Sequence, residues 1–352
     1  FATARVEAPA LFRAVSAEAT LKMKVFNAQD LANTAWALSR AGHADRPLFD
    51  ALAVETLEKI ATFTPQNLAN AAWAFAKAGF EAPVFFEAVA ASSSRQIEKF
   101  EAQDLANTVW ALSTAGKSEG PQAKAMFQSV AAAAPAKMAD FTPQHLTNIS
   151  WAFAKAGFPA PLLFEAVASE ALSKVALFTP QGLATTAWAF AKARRPHSTD
   201  GAEAHRALFE AIASESSQDM AKFNSQDMAN VVWAFSRAGV SAPALFEAVA
   251  LEAFTKIEAF TSQALSNTAW AFAKAGVFET DRKLFQAIAV QAEKLVETFN
   301  AQELANTVWA FATAGVEAPY LFEAAAARAE AQIAMFYPRA LANTVWAYAT
   351  AG

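Results

Sequence analysis

The stretch FTPQNLANAAWAFAKAG, Phe63 to Gly79, occurs in nine versions along this chain, from FNAQDLANTAWALSRAG at Phe26 to FYPRALANTVWAYATAG ending at Gly352. Counted between opening Phe residues (26, 63, 100, 141, 178, 223, 260, 299 and 336), the spacings are 37, 37, 41, 37, 45, 37, 39 and 37. Self-similarity at a fixed period marks a repeat architecture, in which one unit buries its apolar face only against its neighbours. A chain of 352 residues would ordinarily hold two or three domains. The repeat overrides that prior and predicts a single continuous array over 1–352. The extra residues of the longer units fall between the end of the motif and the next apolar pair, such as Phe85-Phe86, Met126-Phe127 or Leu208-Phe209. They therefore read as surface loops. The longest, Arg194 to His205, replaces the closing Gly in the repeat that carries Thr185 where the others carry Asn. Phe1 to Pro9 matches Phe311 to Pro319, so the chain reads as opening in the middle of a repeat, as a fragment open at both ends.

Each unit predicts two helices and no strand. The first has Thr, Asn or Glu as N-cap, often Pro at the next position (Pro65, Pro143, Pro180, Pro338), and a Gly close such as Gly42, Gly79 or Gly116. The second starts near a Pro such as Pro83 or Pro161, and its late Lys (Lys59, Lys174, Lys256) suits the helix dipole. On a wheel of about 100° per residue, Leu68, Ala69, Ala72, Phe75 and Ala76 share one broad apolar face. Gln66, Asn70 and Lys77 share another side, with Trp73 at its edge. A helix with so wide an apolar face must pack on its partner and on both neighbouring repeats. The expected fold is all-α, an α-solenoid of nine helix-turn-helix repeats with the first helices lining the concave side.

Function, if it lies on the repeats, belongs to the strip left free by packing. Its Asn recurs as Asn33, Asn70, Asn107, Asn148, Asn230, Asn267, Asn306 and Asn343. Such a row is either a hydrogen-bonded ladder between repeats or a line of contacts to a polymer of repeating chemistry. Seven positions further on stand Arg40, Lys77, Lys155, Lys192, Arg237 and Lys274, with Thr114, Thr313 and Thr350 in the other three repeats. These cations either complement the helix C-terminus or form a stripe for a phosphate backbone. The ridge also has a variable position, Asp30, Asn67, Asp104, His145, Asp227 and Glu303, with Gly182, Ala264 and Ala340 elsewhere. It either caps the helix or reads a base. The nine Trp residues, one per repeat from Trp36 to Trp346, either pack between repeats or stack on bases.

Composition narrows the field. The formal charge is -5, yet the nine motifs are net positive and the segments between them net negative, with Asp50, Glu87, Glu165, Glu210, Glu247 and Glu323 on the second helices. Local potential rather than net charge attracts a phosphate backbone, so overall acidity does not exclude nucleic acid. With no Cys, disulfides, thiolate metal sites and Cys nucleophiles are excluded. Charged or amide residues interrupt every repeat, which predicts a soluble chain without membrane insertion. His43, His145, His197 and His205 have no ligand spacing, and no nucleophile elbow, P-loop or dinucleotide fingerprint occurs. The sequence reads as a binding protein rather than an enzyme, with no cofactor.

The motif F-x-P-Q-x-L-A-N-x-x-W-A-x-A-K-A-G resembles the helix of octotricopeptide-repeat proteins across essentially the whole chain. The second helices differ from that family's usual P-P-P-E-W, reading E-A-P-V-F-F from Glu81 and E-A-P-Y-L-F from Glu317. The resemblance implies an α-solenoid imported into chloroplast or mitochondrion, binding single-stranded organellar RNA and acting in its stability, processing or translation. The alternative is a protein-binding scaffold or architectural subunit of an organellar ribosome or other large complex.

Overall fold

The computed structural model describes residues 8–193, 202–277 and 282–351. The matching opening segment 1–7, and residues 194–201 of the longest insertion with His197, lie outside the described residues. Among the described residues the fold is all-α, eighteen α-helices alternating between the two expected kinds, without a strand. It is the solenoid of paired helices that the period predicts. The chain divides into two compact units, Phe1–Ala171 and Leu172–Gly352, each built from the same hairpin.

The first helices of one unit are Ala28–Arg40, Pro65–Lys77, Ala102–Thr114 and Pro143–Ala156. Those of the other are Pro180–Ala193, Ser225–Ala238, Ser262–Ala275, Ala301–Ala314 and Pro338–Ala351. Their starts are set by reciprocal capping. The Thr64 hydroxyl accepts the Asn67 N–H at 3.3 Å, and the Asn67 side-chain oxygen accepts the Thr64 N–H at 3.2 Å. Two donors that a helix start leaves unsatisfied are thereby paired. The same box closes on Asn27 with Asp30, Thr142 with His145, Asn224 with Asp227 and Asn300 with Glu303. The helix ends turn on glycine. Gly157 takes φ +66°, and Phe158 N–H reaches back to Phe153 O at 3.1 Å. A Cβ at Gly157 would meet nothing within 4 Å, so the left-handed backbone alone asks for glycine there.

Leu68, Ala69, Ala72 and Phe75 are buried as the wheel requires, and so are Ala71 and Ala74 on the flanks that meet neighbouring repeats. Small residues let adjacent first helices approach closely. Ser113 Oγ donates across that contact to Ala152 O at 2.9 Å, and Ser236 Oγ to Ala271 O at 2.7 Å. The second helices, such as Arg46–Lys59, Pro83–Arg95 and Pro243–Thr255, pack less closely on one another, apart from Pro83–Arg95 against Pro121–Ala133. They join the first layer through aromatic pairs repeated along the array. Phe49 meets Phe75 with ring centroids 4.9 Å apart, Phe127 meets Phe153 at 4.9 Å, Phe246 meets Phe272 at 5.0 Å and Phe285 meets Phe311 at 5.2 Å. Tilted and edge-on aromatic contacts of this kind add to the burial of large apolar area.

Sequence reasoning did not anticipate the 3-10 turns that follow the second helices, for example Ile60–Thr62, Ile97–Lys99 and Ile257–Ala259. These turns change the role of the late lysines. Lys59 Nζ, expected to complement its own helix, donates to Lys24 O at 2.8 Å and Phe26 O at 2.7 Å, in the preceding repeat. Lys256 does the same to Ala221 O and Phe223 O, and Lys137 to Glu98 O and Phe100 O. Gln96 reaches Phe63 O at 3.2 Å and Gln332 reaches Phe299 O at 3.0 Å from equivalent places. The tight turn leaves carbonyls around the opening Phe without helical donors, and the next repeat supplies them. A seam of stapling hydrogen bonds results. Glu55, 2% exposed, adds an ion triad there, 2.9 Å from Lys24 and 2.8 Å from Lys59.

Candidate nucleic-acid interface

On each first helix the polar strip runs lengthwise. In the helix Pro65–Lys77, Gln66 and Lys77 are exposed while Asn70 and Trp73 are half-buried between them, at intervals of four, three and four residues. Those intervals keep all four on one face. The other helices repeat the arrangement. Asn33 is exposed, and Asn70, Asn107, Asn148, Asn230, Asn267, Asn306 and Asn343 are half-buried. Arg40, Lys77, Lys155, Lys192, Arg237 and Lys274 are all exposed.

The Asn row is not a ladder. Among the described residues no hydrogen bond joins one ridge Asn to the next. Asn148 and Asn230 accept instead from Gln144 and Gln226, one turn earlier on the same helix, at 2.8 Å each. The reason is geometric: stacked repeats bring Ala and Ser together at the contact, while the Asn side chains stand out from it. Among the described residues no ridge Asn amide donates to a protein acceptor.

The cations of the strip also look outward. Among the described residues Lys and Arg pair with carboxylates at other positions, as in Lys24 with Glu58, Lys256 with Glu252 and Arg328 with Glu297, and Arg40, Lys77, Lys155, Arg237 and Lys274 form no ion pair. Several ridge cations lie instead over the Trp one turn before them. Arg40 sits 5.3 Å from the Trp36 ring centroid, Lys155 4.8 Å from Trp151 and Lys192 4.8 Å from Trp188. The ring quadrupole attracts a cation without neutralising it.

The tryptophans form rows. In the first unit Trp36, Trp73, Trp110 and Trp151 follow one another with centroids 6.5, 6.2 and 6.3 Å apart. In the second unit Trp188, Trp233 and Trp270 are spaced at 6.4 and 6.2 Å, and Trp309 and Trp346 at 6.5 Å. Packing and exposure, set against each other at the sequence level, are both present. Each Trp touches its neighbours in the row, yet the eight from Trp36 to Trp309 are half-buried and Trp346 is 46% exposed. At the sequence level the Asn and Lys were the expected contacts, while the Trp, at the edge of the strip, stood between packing and stacking. The signal that would have included them is Asn-x-x-Trp-x-x-x-Lys, a spacing that keeps Trp on the same strip.

The variable residues are occupied otherwise. Asp30, Asn67, Asp104, His145, Asp227 and Glu303 each accept the backbone N–H of their own N-cap residue. Asn67, Asp104 and Asp227 are buried in doing so. Burial pushes the Asp104 and Asp227 carboxyls above the ordinary range, against the opposing pull of the Glu101 and Asn224 N–H bonds. Of the two roles open to this position, the geometry displays capping. No helix among the described residues is long and apolar enough to cross a membrane.

A family model for RNA-editing substrate-binding complex 6 protein matches residues 1–120 and 201–351, most of the array. The chain belongs to that family. The matched parts hold the ridge residues Asn33 to Asn107 in the first unit and Asn230 to Asn343 in the second, so the face described here is a feature of a member of the RNA-editing substrate-binding complex 6 family. No curated protein matches the chain. Among solved structures it is similar to a chain of "Homology model of the full-length AP-3 complex in an intermediate open conformation", at 12% identity and TM-score 0.34, over 92% of this chain and 63% of that one. At that distance the likeness carries no inference.

Proposed function

We propose that this protein binds single-stranded RNA along the first-helix strips of its repeats, as an RNA-binding component of an organellar complex in chloroplast or mitochondrion that acts in RNA stability, processing or translation. It holds its ligand and does no chemistry on it. The observation that carries the reading is the strip itself, where exposed cations, outward amides and partly exposed aromatic rings recur once per repeat. A ligand that meets the same group at every step is a polymer of repeating chemistry. Phosphate, ribose and base supply partners for cation, amide and ring in turn. The family description names an RNA-editing substrate-binding complex, and the resemblance to octotricopeptide-repeat proteins points to the same class of ligand. In this reading the first helices, which pack more closely on one another than the second helices do, line the concave side.

The contacts proposed are Asn33, Asn70, Asn107, Asn148, Asn230, Asn267, Asn306 and Asn343 with Arg40, Lys77, Lys155, Lys192, Arg237 and Lys274. The variable residues are left out because capping holds them. A second reading, a protein-binding scaffold, draws on exposed apolar residues of the second helices, with Val84 65%, Leu162 72%, Leu251 71% and Tyr320 72% exposed. Fluorescence anisotropy with single-stranded RNA across a salt series separates the two. Changing Lys77, Lys155, Lys192 and Lys274 together to Gln should weaken binding and flatten the log–log salt slope by about 2.8, at about 0.7 per phosphate contact. Unchanged affinity and slope in that variant, or no RNA binding by the parent chain, would leave the scaffold reading standing.

A further inference from the structure

We infer that the tryptophan rows are stacking rungs for RNA bases, with one base set against each repeat. This rests on the RNA-binding reading and goes beyond it: the cations would hold the backbone, and the indole rings would hold the bases.

The argument begins with what packing alone requires. On the helix Pro65–Lys77, Phe75 is 1% exposed and fills the core, two residues from a Trp73 that is only half-buried. Among the described residues the largest fully buried side chains are Phe and none is Trp. The core thus takes its aromatic volume from Phe, and a ring of Trp size on the strip is surplus to it. A ring placed for burial would also pair its indole N–H, since that donor usually finds a partner when buried. Among the described residues no Trp Nε1–H donates to a protein acceptor, and none is among the buried polar atoms without a partner. The donors at the half-buried positions are therefore open to solvent.

Spacing adds a second argument. Successive rings stand 6.2 to 6.5 Å apart with planes tilted by 27° to 37°. That separation is near the upper end of aromatic contact. Each ring therefore keeps part of a face uncovered. Arg40, Lys155 and Lys192 lie over Trp faces, so that a phosphate drawing the cation aside would free the ring for its base. Stacking on a ring is tolerant of base identity because every base has a π-face. The rungs would give affinity and register, with little selection among bases.

The test uses the whole chain and two probes of about 16 nucleotides, an oligouridylate and a backbone of the same length and charge without bases. The expected result is oligouridylate binding at least about tenfold tighter than the abasic backbone, with quenching of indole fluorescence. Trp110→Leu should cost the oligouridylate about fivefold or more, the lower end of stacking per base, and leave the abasic probe unchanged. Trp110→Phe should recover part of the loss, and thermal melting of both variants checks that the array is intact. Equal binding of the two probes without quenching overturns the rungs while leaving the cation strip in place. Binding of neither probe overturns the RNA reading and this inference together.

Discussion

Two rows of polar residues run through this molecule, and they treat their hydrogen bonds in opposite ways. In the seam between repeats, Lys59, Lys137 and Lys256 each place an ammonium on two carbonyls of the preceding repeat, and Gln96 and Gln332 each place an amide on one. On the first-helix strip, Asn70, Trp73 and Lys77 recur just as regularly but donate no side-chain hydrogen bond to the protein. The seam therefore explains itself as structure. The strip does not. A polar residue repeated in every unit is no sign of function until the fate of its hydrogen bonds is known.

The contrast breaks most visibly at the seam. Lys137→Met removes a charged donor from Glu98 O and Phe100 O, and should cost about 2 kcal/mol in chemical denaturation, in the range for charged hydrogen bonds. RNA affinity should stay unchanged. A loss of binding without loss of stability would show that seam and strip are not separate. Gln332→Leu removes one neutral bond to Phe299 O, and a denaturation midpoint shift equivalent to about 1 kcal/mol is expected.

Capping residues sharpen the comparison from a third direction, being on the strip by sequence and inside the helix start by geometry. Asp104→Asn should change stability by less than about 1 kcal/mol at neutral pH, because Asn67 already forms the same capping box in its own repeat. Nucleotide preference should not move. The sign of the pH effect follows from the raised carboxyl. The folded state holds the Asp104 proton more tightly than the unfolded state does, so this contribution is full below the unfolded pKa, near 3.9, and is lost as pH rises through the folded value. Relative to the wild type, the Asn variant should gain stability over the window just above that unfolded value and level off beyond it. A difference between the two that does not vary with pH would remove burial as the cause of the shift.

The smallest stability effect belongs to the strip. Asn70→Ala should stay within about 0.5 kcal/mol of the wild type, because no protein hydrogen bond is lost, while RNA binding weakens measurably by anisotropy. If the melt drops as it does for a seam variant, the amide has a structural partner after all.

The apolar half of the repeat was legible from residues alone because burial leaves a periodic mark. Leu68, Ala69, Ala72 and Phe75 recur at helical spacing, and a face that wide has no home except between neighbours. Cap and stop residues were legible for a similar local reason: Thr64, Pro65 and Gly79 act within a few residues of themselves. The seam was not. Lys59 meets Phe26 O across more than thirty residues, and sequence records only that a Lys is there. The strip was half legible, in that Asn70 and Lys77 stood out by recurrence while Trp73, at its edge, could be read as packing or as a free ring.

Sequence by itself determined the repeat, the helix kinds, their ends and their apolar faces, since each follows from forces acting within about one turn or from the requirement to cover an apolar face. Which of the recurring polar residues hold the protein together, and which are left to hold something else, was decided only when the repeats stacked. Hydrogen-bond partners are chosen by distance in space, and stacking is what put a carbonyl beside Lys137 and another indole, rather than an acceptor, beside Trp110.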